Sequence, residues 1–383
     1  MNIERLLTHK LKKTKKSLLL IGPRQTGKST LIRTLHPDLE INFADEEQYV
    51  QFLSDPGLLK QKLHGKIRTI FIDEVQRIPS VLNTVQFLID QNPKLKFFLT
   101  GSSARKLKRG QANLLPGRIV TFELAPLTCK ELGPNFDVQK SLSLGLLPGI
   151  YCENDHEEAK KVLKSYASTY LKEEVQAEAL TRNMEGFTRF LQIVAAKSGE
   201  FIDFTKFSKL AMIERLSCAR YYEILLDTLV LNQVEPFAKS VTRRLIQHPR
   251  FYFFDVGVLN GMLSNFTPSL DRVGMLFEHL VLQLLLAHAK ASDEDIRVSV
   301  YRTERGAEVD FIVELRDQVF AIEVKASKKV GTHDLTGLKS FADFYGKKKH
   351  IPIVIYLGNE LLTINEIEIY PLITGIERLF SLS

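Results

Sequence analysis

The sequence predicts an α/β protein of three domains, α/β at both ends with a helical middle, and three observations predict it. The apolar run Leu18-Leu19-Leu20-Ile21 passes through Gly22-Pro23-Arg24-Gln25-Thr26-Gly27-Lys28-Ser29 into a helical stretch, Thr30-Leu31-Ile32-Arg33. A second apolar run, Thr69-Ile70-Phe71-Ile72, ends in Asp73-Glu74. From Val273 onward the pattern reads helix, three strands, helix, strand. The expected boundaries are 1–140, 141–265 and 266–383, with no Gly/Ser-rich linker at either junction.

Composition agrees with a globular chain. Of 383 residues, 44% are hydrophobic and 25% charged, enough for real cores. No stretch suggests the ~20 apolar residues of a membrane span. The apolar run behind the basic N-terminus is the loop-bearing strand itself, so a cleaved signal peptide is not expected. Three widely spaced cysteines, Cys129, Cys152 and Cys218, suit a reducing cytoplasm and suggest neither disulfides nor zinc. The net charge of +7 tilts the chain toward polyanionic partners.

Gly22 to Ser29 is a complete G-x-x-x-x-G-K-[ST] phosphate-binding loop in its required strand-to-helix setting. Its glycines let backbone N–H groups close on phosphates at a positive helix N-terminus. Lys28 would reach the β and γ phosphates of ATP, with Thr30 in the first helical turn, and the Ser29 hydroxyl would hold Mg²⁺. Asp73, at the carboxyl end of a buried strand, would hold the same Mg²⁺ through its water shell, and Glu74 would polarise the attacking water. That adjacent pair argues for ATP hydrolysis over phosphoryl transfer to a small molecule. A third strand, Lys96 to Thr100, runs into Gly101-Ser102. Thr100 and Ser102 are both placed to sense the γ-phosphate, although small polar residues also simply end strands. A basic stretch with Arg105, Lys106, Lys108 and Arg109 follows, then Leu115-Pro116-Gly117-Arg118 and the strand Ile119 to Glu123.

This order resembles the core of an AAA+ ATPase. More narrowly, Gly-Pro-Arg-Gln-Thr-Gly-Lys, Ile-Asp-Glu-Val-Gln, Leu-Thr-Gly-Ser-Ser and Pro-Gly-Arg resemble a prokaryotic AAA+ family that carries a C-terminal nuclease-like domain of unknown function. The resemblance implies that Arg118, with Arg105 as the weaker candidate, serves as an arginine finger in a neighbouring subunit. The working unit would then be a homo-oligomer, such as a ring.

In the middle, Glu157 to Lys172 and Met184 to Ala196 read as helices. Thr205 to Met212 and Ser217 to Leu226 have helix-turn-helix spacing, and Thr228 to Val234 with Arg250 to Phe254 would form a β-wing. The resemblance implies a winged helix here. Ser217, Arg220, Tyr221 and Tyr222 would lie early on the second helix, able to face phosphates or bases, with Arg243 and Arg244 adding charge near the wing.

The C-terminal order is similar to the PD-(D/E)xK nuclease fold. Glu323 and Lys325, two apart on a strand, share a face, and Asp310 can sit opposite on the neighbouring strand. Asp310 and Glu323 would hold Mg²⁺ or Mn²⁺, Lys325 would orient or deprotonate the nucleophile, and Glu278 from the preceding helix would be a further ligand or base. In the fold compared, that helical Glu recurs in enzymes acting on branched DNA such as Holliday junctions. Lys328, Lys329 and Lys347-Lys348-Lys349 either line a phosphodiester track or solvate the surface. Two function classes emerge: an AAA+ ATPase that engages DNA through its C-terminal half and either moves it or licenses its cleavage, or a signalling or defence ATPase whose inactive nuclease-like domain binds DNA or protein.

Overall fold

A computed structural model describes residues 3–55, 57–102, 115, 117–166, 183–237, 248–346 and 349–381. Ser103, Arg105, Lys106, Lys108, Arg109, Pro116, Arg243, Arg244, Lys347, Lys348 and the end of the helix expected to reach Lys172 lie outside the described residues. The chain divides into two compact units. One is Met1–Leu127 with Asp227–Val230 and Lys290–Asp293; the other is Thr128–Leu226, Leu231–Ala289 and Glu294–Ser383.

In the first unit, β1 (Ser17–Ile21), β2 (Leu39–Asn42), β3 (Thr69–Asp73), β4 (Lys96–Gly101) and β5 (Ile119–Glu123) form a sheet in the order β2-β3-β4-β1-β5. Every pairing is parallel. Such a sheet is covered on both faces, which is why its strands read as unbroken apolar runs. Alternation assigns the faces: Leu19, Ile70, Ile72, Phe97 and Leu99 enter one core cluster, while Leu18, Leu20, Phe71 and Phe98 enter the other. All five strands therefore end at one edge, where the phosphate loop leaves β1.

The second unit holds an eight-stranded sheet: β6 (Leu231–Pro236), β7 (Arg250–Phe253), β8 (Ile296–Arg302), β9 (Glu308–Leu315), β10 (Gln318–Lys325), β11 (Ile351–Tyr356), β12 (Leu362–Ile364) and β13 (Ile367–Pro371), ordered β12-β13-β11-β10-β9-β8-β6-β7. β8, β9 and β10 form an antiparallel meander, and the helix Thr336–Tyr345 carries the chain over to β11, parallel to β10. Beyond the elements expected from sequence, the chain adds β12, β13 and the helix Leu372–Ser381.

The helix Val273–Ser292 has 20 residues and a mean hydropathy of 1.2, so by length and composition it could cross a membrane. The sequence reading did not single it out for this. Its apolar window is 67% buried inside the protein, as befits a core helix.

The β6–β7 hairpin follows two helices, Phe204–Ala211 and Arg215–Asp227, joined through Met212 in the left-handed region. Two residues expected to face nucleic acid must be corrected. Tyr221 and Tyr222 are buried, Tyr221 stacking edge-on to Phe187 at 5.2 Å and Tyr222 to Phe190 at 4.9 Å. With Cys218 and Leu225 they occupy i, i+3, i+4 and i+7, the core stripe of an amphipathic helix. Ser217 is half-buried and Arg220 is exposed.

β6 is shared between two partners. It pairs antiparallel with β7, and at Glu235 and Pro236 parallel with β8. Just beyond it, Phe237 enters the C-terminal core, 5.5 Å from the Phe341 ring. The hairpin expected as a wing thus extends the C-terminal sheet.

Nucleotide site and acidic cluster

The phosphate loop takes its shape from backbone rules. A Cβ on Gly22 would lie 2.3 Å from the Leu124 carbonyl oxygen, so only glycine fits that crossing. Gly27, at φ 88°, is left-handed and opens the helix Lys28–Arg33. Thr26 Oγ1 donates to the Pro23 carbonyl at 2.9 Å, and Arg5 braces the loop from outside, donating to the carbonyls of Thr26 and Ala125 at 2.8 Å each. Lys28 Nζ folds back over the loop onto the carbonyls of Gly22 and Pro23, both at 2.8 Å. Arg24 is half-buried, Pro23 buried and Gln25 exposed, with Gln25 also left-handed at φ 64°. Ser29 is half-buried and Thr30 exposed at the start of the helix.

β3 and β4 supply the other side. Buried Thr100 donates its hydroxyl to Asp73 Oδ1, and the Glu74 N–H reaches the same oxygen at 3.1 Å. Glu74 itself sits in the left-handed region, φ 56°, which turns its side chain off the strand line. Gln76 donates to Glu74 Oε2 and, at 3.0 Å, to Ser102 Oγ. The glycine cradle fits a phosphate, and Ser29 with Asp73 offers the hard oxygen donors Mg²⁺ takes. Arg118 lies elsewhere. It precedes β5, at the sheet edge opposite the loop, and forms a two-pronged ion pair with Asp90 at 2.7 and 3.0 Å. In its own chain it lies at the opposite end of the parallel strands from the phosphate loop.

The second unit gathers a charged cluster. Register places Phe311 opposite Ile322, so Asp310 and Glu323 face each other one step on. Asp310 Oδ2 accepts the Val324 N–H at 2.8 Å. Glu323 Oε1 pairs with Lys325 at 2.8 Å, while its Oε2 is buried with no hydrogen-bond partner among the described residues. Glu278 Oε1 accepts from Tyr252 Oη at 2.6 Å and from Arg250 at 3.0 Å; Arg250 also reaches Glu308. Desolvation, then the charge of Asp310, raises Glu278 from 4.5 to about 7 and Glu323 from 4.5 to about 8. Desolvation also raises Asp310.

The residues expected at a metal centre, Asp310 and Glu323, face each other across this hairpin, with Lys325 beside Glu323. Among the described residues no three His, Cys, Asp or Glu side chains converge as metal ligands. Arg250 and Tyr252 hold Glu278, and Lys325 holds one oxygen of Glu323. Arg250 and Lys325 offset part of the charge of these carboxylates.

A pH dependence follows. Both glutamates have folded values above their unfolded ones, so folding takes up protons. Their stabilising contribution is complete below about pH 4.5 and is lost as pH rises through about 7 and about 8. The Tm of the C-terminal transition is therefore expected to fall between about pH 5 and pH 8.5, and Glu323→Gln to flatten that fall. A Tm that rises across this window in the unaltered chain contradicts the expectation.

Sequence reasoning missed Gln76, Arg5, Arg250 and Tyr252. Gln76 carried a signal, its place two residues beyond Glu74. Arg5 and Arg250 carried none, because their partners lie far off in sequence.

Three stretches of the chain match family models. Residues 14–133 match the AAA domain family. Residues 135–269 and 273–374 match two domains of unknown function, DUF8612 and DUF4143. The AAA match falls within the N-terminal unit but for its last residues. Among relatives, uncharacterized proteins of Mycobacterium tuberculosis and Mycobacterium bovis are each 28% identical over 316 residues, covering 80% of this chain and 70% of theirs. An uncharacterized protein of Haemophilus influenzae is 21% identical over 361 residues, covering 86% of this chain and 87% of its own. A signal transduction ATPase with numerous domains and a tetratricopeptide repeat sensor, from Pyrococcus horikoshii, is 14% identical over 75% of this chain and 47% of that one. Its TM-score is 0.22, too low to carry an argument.

Proposed function

We propose that this chain is a cytoplasmic, Mg²⁺-dependent ATPase that works as a homo-oligomer and binds DNA through its C-terminal unit without cutting it. The observation that carries the ATPase is the meeting of the phosphate loop with Asp73, Glu74 and Thr100 at one sheet edge. Within it, Lys28 would leave its two loop carbonyls for the β and γ phosphates, and Ser29 and Asp73 would hold the metal. Glu74 would take the proton of the attacking water, and Arg118 would neutralise charge in a neighbour's site.

DNA binding is supported by the net charge of +7 and by exposed Lys328 and Lys329, just beyond Lys325 at the end of β10. The absence of cleavage is supported by Arg250 and Lys325, which balance the carboxylates. One observation favours the second reading, a metal-dependent nuclease: the unpartnered, buried Oε2 of Glu323.

A gel-shift panel of single-stranded, duplex, forked and four-way DNA, with ATP and Mg²⁺ varied, decides between them. We expect binding at low salt that weakens steeply as salt rises, with no cleavage by the unaltered chain or by Glu323→Ala. Metal-dependent cleavage that Glu323→Ala removes establishes the nuclease instead. No binding of any DNA shape, with an ATPase rate indifferent to DNA, defeats the DNA reading.

A further inference from the structure

Glu74 has two carboxylate oxygens, and one is held. Its left-handed backbone feeds the 3-10 turn Val75–Arg77, which brings Gln76 back over its own neighbour. The Gln76 amide spends one N–H on Glu74 Oε2 and the other on Ser102 Oγ, 3.0 Å away at the end of β4. Gln76 is 5% exposed, and its Oε1 is buried with no partner among the described residues. An unmatched buried carbonyl is unfavourable, so nothing at that end explains why the side chain lies here. The explanation lies at its nitrogen.

We infer that Gln76 is a positioning residue for hydrolysis, fixing the Glu74 carboxylate so that its remaining oxygen is presented to the attacking water, and tying it to Ser102. A general base must stand within hydrogen-bond reach of the proton it takes, and a freely rotating glutamate spends little time there. β4 then serves both halves of the site. Thr100 holds Asp73 on the metal side, and Ser102, through Gln76, holds Glu74 on the water side. The inference rests on the ATPase reading and names a residue no comparison assigns.

The test is steady-state ATP hydrolysis by the full chain with Mg²⁺, alongside affinity for a fluorescent ATP analogue. Gln76→Ala should lower kcat by about tenfold to a hundredfold, leaving KM and analogue affinity within about twofold. Ser102→Ala should lower kcat less, and the double variant should be no slower than Gln76→Ala alone, because the two act in one chain of contacts. Gln76→Glu places two carboxylates together, which keep their contact only while sharing a proton. Its rate relative to the unaltered chain should therefore recover as pH falls.

Unchanged kcat in Gln76→Ala overturns the inference, as does a parallel loss of kcat and nucleotide affinity. If Gln76→Ala does not fold, Ser102→Ala and the pH profile of Gln76→Glu decide: normal kcat in the first, or a flat relative rate in the second, overturns it. An unaltered chain that binds the analogue but never turns over defeats the ATPase reading itself, a result distinct from turnover that ignores Gln76.

Discussion

Lys28→Ala is expected to lower ATP hydrolysis at least about a hundredfold, measured as phosphate release with Mg²⁺. The buried Lys28 ammonium already sits over the loop, on the carbonyls of Gly22 and Pro23 at 2.8 Å. Alanine takes away a charge placed to move onto the β and γ phosphates, and the helix N-terminus cannot replace it. A circular-dichroism control separates this from loss of fold, since two loop contacts go with the side chain. Retained turnover would overturn the site assignment. Arg118 gives a companion test. Because it lies at the far sheet edge of its own chain, Arg118→Ala and Lys28→Ala subunits, each inactive alone, should regain activity when mixed. Mixtures that stay inactive argue against an arginine supplied between subunits.

Asp255→Ala is expected to destabilise the second unit by about 3–5 kcal/mol, lowering its Tm by roughly 10 °C. Asp255 is fully buried, and its carboxylate accepts the Leu146 N–H at 2.7 Å, the Gln283 amide at 2.8 Å and, as N-cap of the helix Val256–Leu263, the Val258 N–H at 3.1 Å. One side chain thereby joins three segments far apart in sequence. Alanine strands all three donors away from water, and space is too tight for another polar group. A Cβ on Gly257 would fall 2.1 Å from the Leu144 carbonyl oxygen. Asp255→Asn keeps two acceptor directions and should lose less. A thermal melt for Asp255→Ala indistinguishable from that of the unaltered chain would show that these contacts contribute nothing net.

The parts of this protein legible in its sequence are those whose cause is local. The phosphate loop is spelled in eight consecutive residues, and the alternation of Leu18, Leu19 and Leu20 assigns two sheet faces without any partner. The two-residue spacing of Glu323 and Lys325 gives their pairing at 2.8 Å for the same reason. The helix Arg215–Asp227 shows how two local patterns compete. Its turn geometry suggests a surface helix for nucleic acid, but Cys218, Tyr221, Tyr222 and Leu225 spell a core stripe, and burying two aromatic rings decides the outcome. What stayed illegible depends on distant contacts. Nothing near Glu278 announces that Arg250 will hold it, and nothing in the apolar run at β7 announces that its one charged residue turns toward carboxylates. The facing of Asp310 and Glu323 could be read from residue types and strand alternation; the arginine placed on Glu278 and Glu308 followed from topology.

The shared strand β6 bears on how this protein can be taken apart. Three family matches suggest three pieces, yet the last two meet inside one sheet, through Glu235 and Pro236 on β8 and Phe237 in the core beyond. A fragment starting near residue 266 would expose the β8 edge, with unsatisfied backbone groups that invite pairing with other copies. Such a fragment would sample self-association, and its apparent affinity for any ligand would report that state rather than the native one. A cut before Thr128 leaves that sheet whole but parts Met1–Leu127 from Asp227–Val230 and Lys290–Asp293, which belong to the same unit.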